Sequence, residues 1–157
     1  MITRKAWATK TFAERLNLLQ SFEVKEATLQ GREPALIKHM NDKSEKLGRY
    51  DEEINYIYIN RELFDEEIPD ECLHTYFHEE RHAQQYNEGE TFDNYINYDK
   101  DQEAYFNQDV EVDAENYADR RMQEFEEQET ESKRSQILQT YSESEDYDYS
   151  NDYGMGM

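Results

Sequence analysis

The 157-residue chain carries 17 Lys+Arg against 38 Asp+Glu, a net charge of −21, and only 36% of its residues are apolar. That length fits one domain and crowds two, and a single cysteine, Cys72, excludes a disulfide framework or a cysteine-based zinc ribbon. The negative charge argues against a sequence-independent grip on a phosphate backbone, so no direct nucleic-acid binding is expected. No window approaches the ~18 apolar residues of a membrane span. The opening MITRKAWATKTFAERL lacks the apolar stretch of a secretory signal, so cytoplasmic residence without a membrane partner is expected.

The charge is unevenly placed. Residues 1–50 hold ten basic and six acidic side chains, a net of +4, whereas residues 51–157 hold seven and thirty-two, a net of −25. We expect three parts: a basic helical segment over 1–47 packed on the core, an acidic core over 48–131, and a tail over 132–157. In the first part Phe12, Leu16, Leu19, Phe22 and Leu29 recur near one helical face, which predicts a helix over 9–29 ended by Gly31 and Pro34. A short second helix is expected through PALIKHMND, with Pro34 in its first turn.

The run INYIYIN over 54–60 is rich in β-branched and aromatic residues and follows polar turn material, which predicts a strand buried on both faces. Arg61–Glu67 fits one helical turn. A helix is expected over 71–86, with Asp70 as its N-cap and Cys72, Leu73, Tyr76, Phe77, Ala83 and Tyr86 on its apolar face. A polar loop with aromatic anchors, 87–98, leads to a long helix over 99–131, where Val110, Ala114, Tyr117, Ala118, Arg121 and Phe125 form one stripe. The last seventeen residues hold five acids, four tyrosines and no Lys or Arg, and disorder is expected from about Tyr141. The fold class is therefore α+β, mostly helical, with a small sheet.

One helix carries chemistry. His78-Glu79-Glu80-Arg81-His82 is H-E-x-x-H. Residues four apart on a helix stand above one another, so two imidazoles there can converge on one Zn2+. Glu79, rotated to one side of that pair, can reach a water at the metal and take its proton as general base. A catalytic zinc site wants a third protein ligand and an open position. No histidine follows His82, so a downstream third ligand must be a carboxylate, with Glu103, Asp109, Glu111, Asp113 and Glu115 as candidates. Glu111 and Glu115 flank the Val110/Ala114/Ala118 stripe four residues apart. Glu111 is the expected ligand, and Glu115 is expected to accept the other ring N–H of a ligating histidine. Asp113, on a different face, is the alternative ligand in a shifted frame. His74, His39 and Cys72 are read as a surface residue, a structural residue and core packing.

H-E-x-x-H followed by E-x-x-[AS]-[DE] on a later helix resembles the gluzincin branch of zinc metallopeptidases; here the second string is Glu111-Val112-Asp113-Ala114-Glu115. The wider pattern, GRYDEEINYIYINRELF, LHTYFHEERHAQQY and EVDAENYA, resembles compact zincin domains of bacterial toxins, mobile elements and phages. The resemblance spans roughly residues 48–122. It implies a minimal zincin core with helices on a small sheet, a zinc cofactor, and hydrolysis of peptide bonds in a peptide or protein substrate with Glu79 as base. It leaves the residue that stabilises the oxyanion unplaced, with Tyr86, Tyr95, Tyr98 and Tyr117 as candidates. Two other functions stand beside it: a zincin-like protein that binds without cutting, and an acidic interaction protein that mimics nucleic acid. Oligomeric state is not readable from the sequence.

Overall fold

A computed structural model describes residues 1–41 and 46–156, with side chains as far as residue 144. The fold is α+β and mostly helical, with one three-stranded mixed sheet. The chain forms two units, Met1–Met122 and Gln123–Met157. Everything that bears on the site lies in the first.

The chain opens with α1 (Arg4–Ala8), which the sequence pattern did not reveal, and α2 (Phe12–Gln30). Thr11 and Glu14 close a capping box at the start of α2, and Gly31, at φ 68°, supplies the left-handed residue that ends it. The buried face of α2 is partly ionic: Arg15, Leu19, Glu23 and Ala27 point inward, while Leu29, expected inside, is exposed. The ionic groups are fully engaged. Arg15 donates to the backbone oxygens of Trp7, Phe64 and Glu66. Glu23 accepts from both Arg32 terminal nitrogens at 2.7 Å, from the Ala35 amide and from the Tyr76 hydroxyl. Removing one partner of such a buried pair costs about 3–5 kcal/mol, because the other charge is stranded.

The segment PALIKHM, expected to be a helix, is instead strand β1 (Leu36–Met40). A short apolar run is ambiguous by period alone. Here a parallel partner decides, with Leu36 opposite Tyr56 through Met40 opposite Asn60. Strand β2 (Gly48–Asp51), missed because it is four residues long and mostly polar, pairs antiparallel with β3 (Tyr56–Asn60). Asn55, at φ 57°, turns the chain into β3, which therefore starts two residues later than expected, and Ile54 is exposed. The sheet order is β1-β3-β2. Helix α2 and the later helix Asp70–Asn87 pack against the sheet. Ile37, Ile57 and Ile59 are buried on one face, whereas Tyr56 and Tyr58 on the other face are half-buried beneath Lys38 and Arg49, so burial on both faces is not what the strand does.

After the single turn α3 (Arg61–Phe64), α4 (Asp70–Asn87) lies against β2 and β3. Asp70 does not cap it. The N-cap is Pro69, without a side-chain bond, and Asp70 is taken by a two-pronged pair with Arg4 at 3.1 and 2.8 Å. The expected long helix from 99 is two helices. Short α5 (Gln102–Asn107) ends at an extended Gln108, and α6 begins at Asp109. The break has a cause: the Gln108 amide bonds the backbone N and O of Ile96 and the Tyr105 carbonyl, anchoring the aromatic loop to the helix junction. Ala114 and Ala118 are fully buried, and Tyr117 stands edge-on to Phe77.

The helical backbone of α6 continues to Gly156. No proline interrupts it, and Gln139 donates to Glu143 one turn on, the kind of pair that lets a polar segment propagate a helix already nucleated. The side chains of Tyr147, Tyr149 and Tyr153 lie outside the described residues. Among the described residues no helix is long and apolar enough to cross a membrane.

Candidate metal centre

Helix α4 presents His78 and His82 one turn apart, and α6 presents Glu111 opposite them. His78 Nε2 lies 2.7 Å from Glu111 Oε2, and His82 Nε2 lies 2.9 Å from Glu111 Oε1. One ligand atom from each of the three falls within 4.8 Å of the other two. His82 and Glu111 are buried and His78 nearly so. Two imidazole nitrogens and a carboxylate are a donor set suited to zinc, and His82 and His78 each border a cavity.

Each imidazole is oriented through its other nitrogen. His78 Nδ1 donates to Glu115 Oε2 at 3.0 Å. His82 Nδ1 meets Gln85 Oε1 at 2.8 Å. The Gln85 amide nitrogen donates to the Val110 carbonyl and to Asp113 Oδ2, which turns its oxygen toward His82 and makes the His82 Nδ1 the donor. Both Nε2 atoms thereby aim at Glu111. Asp113, the alternative ligand, is not part of the group: Arg81 Nε holds it at 2.7 Å, to one side. Gln85 was missed in the sequence, although its place three residues after His82 put it within reach on the same helix face.

The electrostatics follow from this crowding. Burial opposes charge on His78, but the Glu111 and Glu115 carboxylates outweigh it and carry the imidazole up to about 10. His82 is also raised, burial again opposing and Glu111 prevailing. Against its own burial, Glu111 is held far below the usual carboxylate range by the two histidines. Glu79 behaves differently. Burial raises its carboxyl, and the two histidines only partly offset that.

Glu79 lines two adjoining cavities, of about 280 and 340 Å3. The first is bounded by His82, Phe92, Tyr95, Tyr105 and Arg49, and the second by Gly48, His74, His78, Tyr98 and Glu115. Of the four tyrosines considered for an oxyanion, Tyr95 alone reaches the group, its hydroxyl donating to Glu111 Oε1. Tyr117 bonds Glu80 in the interior, Tyr86 stacks on Phe92, and Tyr98 stands edge-on to Tyr105 and Phe106. His39 packs edge-on against Phe12, and Cys72 is fully buried.

Gly48 fixes how closely β2 approaches α4. A Cβ there would sit 2.5 Å from Thr75 Cγ2 and 3.2 Å from Glu79 Cγ. Gly48→Val therefore forces α4 and β2 apart. We expect a loss of about 1–3 kcal/mol in unfolding free energy, together with displacement of Glu79, read by denaturant titration.

Compared with known proteins, the chain matches no family model, no curated protein and no solved structure. What it does can therefore be argued only from its own residues.

Proposed function

We propose that this chain is a zinc-dependent metallopeptidase of the gluzincin type. The observation that carries the reading is the convergence of His78 Nε2 and His82 Nε2 on the Glu111 carboxylate, with Glu79 on the same helix lining the adjoining cavities. His78, His82 and Glu111 would hold the ion. Zinc bound there supplies Lewis acidity, lowering the pKa of water toward ~7 and polarising a carbonyl oxygen.

The protein's own groups supply the rest. Glu79 takes the proton of the attacking water and passes it to the leaving amine. A carboxyl raised by burial suits both halves of that task, because it is neither too weak a base nor too weak an acid. Glu115 and Gln85 hold the two rings in the tautomers that leave Nε2 available. An extended peptide suits the setting: β2 is an edge strand of the sheet, and its Gly48, Arg49 and Tyr50 border the two cavities. A free strand edge can bind a peptide backbone through main-chain hydrogen bonds.

The test is digestion of a mixed peptide library by the zinc-loaded chain, with products identified by mass spectrometry. Cleavage that stops with a chelator and returns with zinc is expected. Zinc uptake without any cleavage would instead support the non-cutting, zincin-like binding protein. Tyr95 is the residue we assign to the oxyanion. Tyr95→Phe should lower kcat by about 10²-fold with KM and zinc affinity little changed. A fall in zinc affinity at unchanged kcat would show that the hydroxyl only steadies Glu111.

A further inference from the structure

Among the described residues, one other group offers metal-type donors. His74 stands one turn before His78 on α4. Its Nε2 lies 3.2 Å from Glu115 Oε1 and 3.1 Å from Asp119 Oδ1. One donor atom from each of these three falls within 4.8 Å of the others. The composition is the inverse of the first group: one histidine on α4 faces two acids four apart on α6. His74 and Glu115 also border the larger cavity, so ions from solvent reach them.

We propose that His74, Glu115 and Asp119 form a second divalent-cation site, for a borderline first-row ion such as Zn2+, and that occupancy there loosens the ion at His78. An imidazole with two carboxylates suits such a cation better than Ca2+ or Mg2+, which prefer oxygen alone. The three side chains are 32%, 50% and 64% exposed, against 15%, 7% and 2% for His78, His82 and Glu111, so the second site is the less preorganised and the weaker.

Glu115 couples the two. Its Oε2 accepts from His78 Nδ1 while its Oε1 faces His74. A cation on Oε1 withdraws charge from the carboxylate, weakens its grip on the His78 N–H and makes that imidazole a poorer ligand. Repulsion between the two cations acts in the same direction. By linkage, an ion at the first site weakens the second by the same factor. Excess zinc is then an inhibitor. The second site stands whether or not the chain is a peptidase, whereas the inhibition rests on that proposal.

The experiment is equilibrium dialysis of the metal-stripped, full-length chain against graded Zn2+, with bound metal measured by elemental analysis. Wild type should take up a tight ion and then a weaker one. His74→Ala and Asp119→Asn should each take up the tight ion alone, bound no less firmly than in wild type at low zinc. Because Asp119 is exposed, its isosteric change keeps the test valid even if His74→Ala misfolds. Glu111→Gln should lose the tight ion and keep the weak one, so a failure of the peptidase reading shows in that variant and not in the other two. Where cleavage is measurable, excess zinc should slow wild type about tenfold and leave His74→Ala unaffected. Isotherms for both His74→Ala and Asp119→Asn that superimpose on wild type would overturn the second site, leaving a plain ion pair.

Discussion

Glu79→Gln should lower kcat by about 10³-fold while the chain still takes up zinc at His78, His82 and Glu111. The amide matches the carboxylate in shape, and Glu79 is 6% exposed, so the packing against β2 is kept. What is lost is the proton acceptor. Neither ring is oriented by Glu79: Glu115 serves His78, and Gln85 serves His82. Zinc affinity should therefore change little. Stability should hold or rise, because a carboxyl whose charge is disfavoured by burial is replaced by a neutral group. Steady-state kinetics, zinc content and a thermal melt on one preparation separate these effects. Cleavage by Glu79→Gln at the wild-type rate would remove Glu79 from the chemistry and the proposed mechanism with it.

The parts of this molecule legible in the sequence are those encoded by local spacing. His78 and His82 sit four apart on an element whose apolar positions already declare a helix, and Glu111 and Glu115 flank a stripe of small residues in α6. The structure brings those four side chains together. What escaped depends on partners distant in the chain. Ile37 reads equally as helix or strand until β3 is laid beside it. Gly48 looks like an ordinary turn glycine until Thr75 and Glu79 arrive at its Cα. Tyr95 is one tyrosine among thirteen until the loop held by Gln108 carries its hydroxyl to Glu111. The Glu23–Arg32 pair hides for another reason: hydrophobic periodicity assigns charged residues to the surface, and a fully bonded ion pair inside a helix interface breaks that rule.

Glu111→Gln should weaken zinc binding far more than any other carboxylate change in the molecule, and the order of the losses is the sharper test. Glu111 is 2% exposed and meets both Nε2 atoms, so its neutral isostere removes the charged group on which both imidazoles converge. A loss well beyond 10²-fold is expected, since changing a residue that only orients a ligand typically costs about 10–100-fold. Glu115→Gln falls in that lesser range, because it touches His78 at the nitrogen facing away from Glu111. Asp113→Asn should cost least, its carboxylate being engaged with Arg81 and Gln85. Binding should also strengthen as pH rises. The facing carboxylates hold His78 protonated up to about 10, so zinc must displace a proton there, and protons compete less as pH climbs toward that value. Calorimetry in buffers of different ionisation enthalpy measures the released proton directly. Equal zinc affinities for Glu111→Gln and Asp113→Asn would mean that the ion sits elsewhere, since no zinc held between these two helices can be indifferent to the carboxylate on which both imidazoles converge.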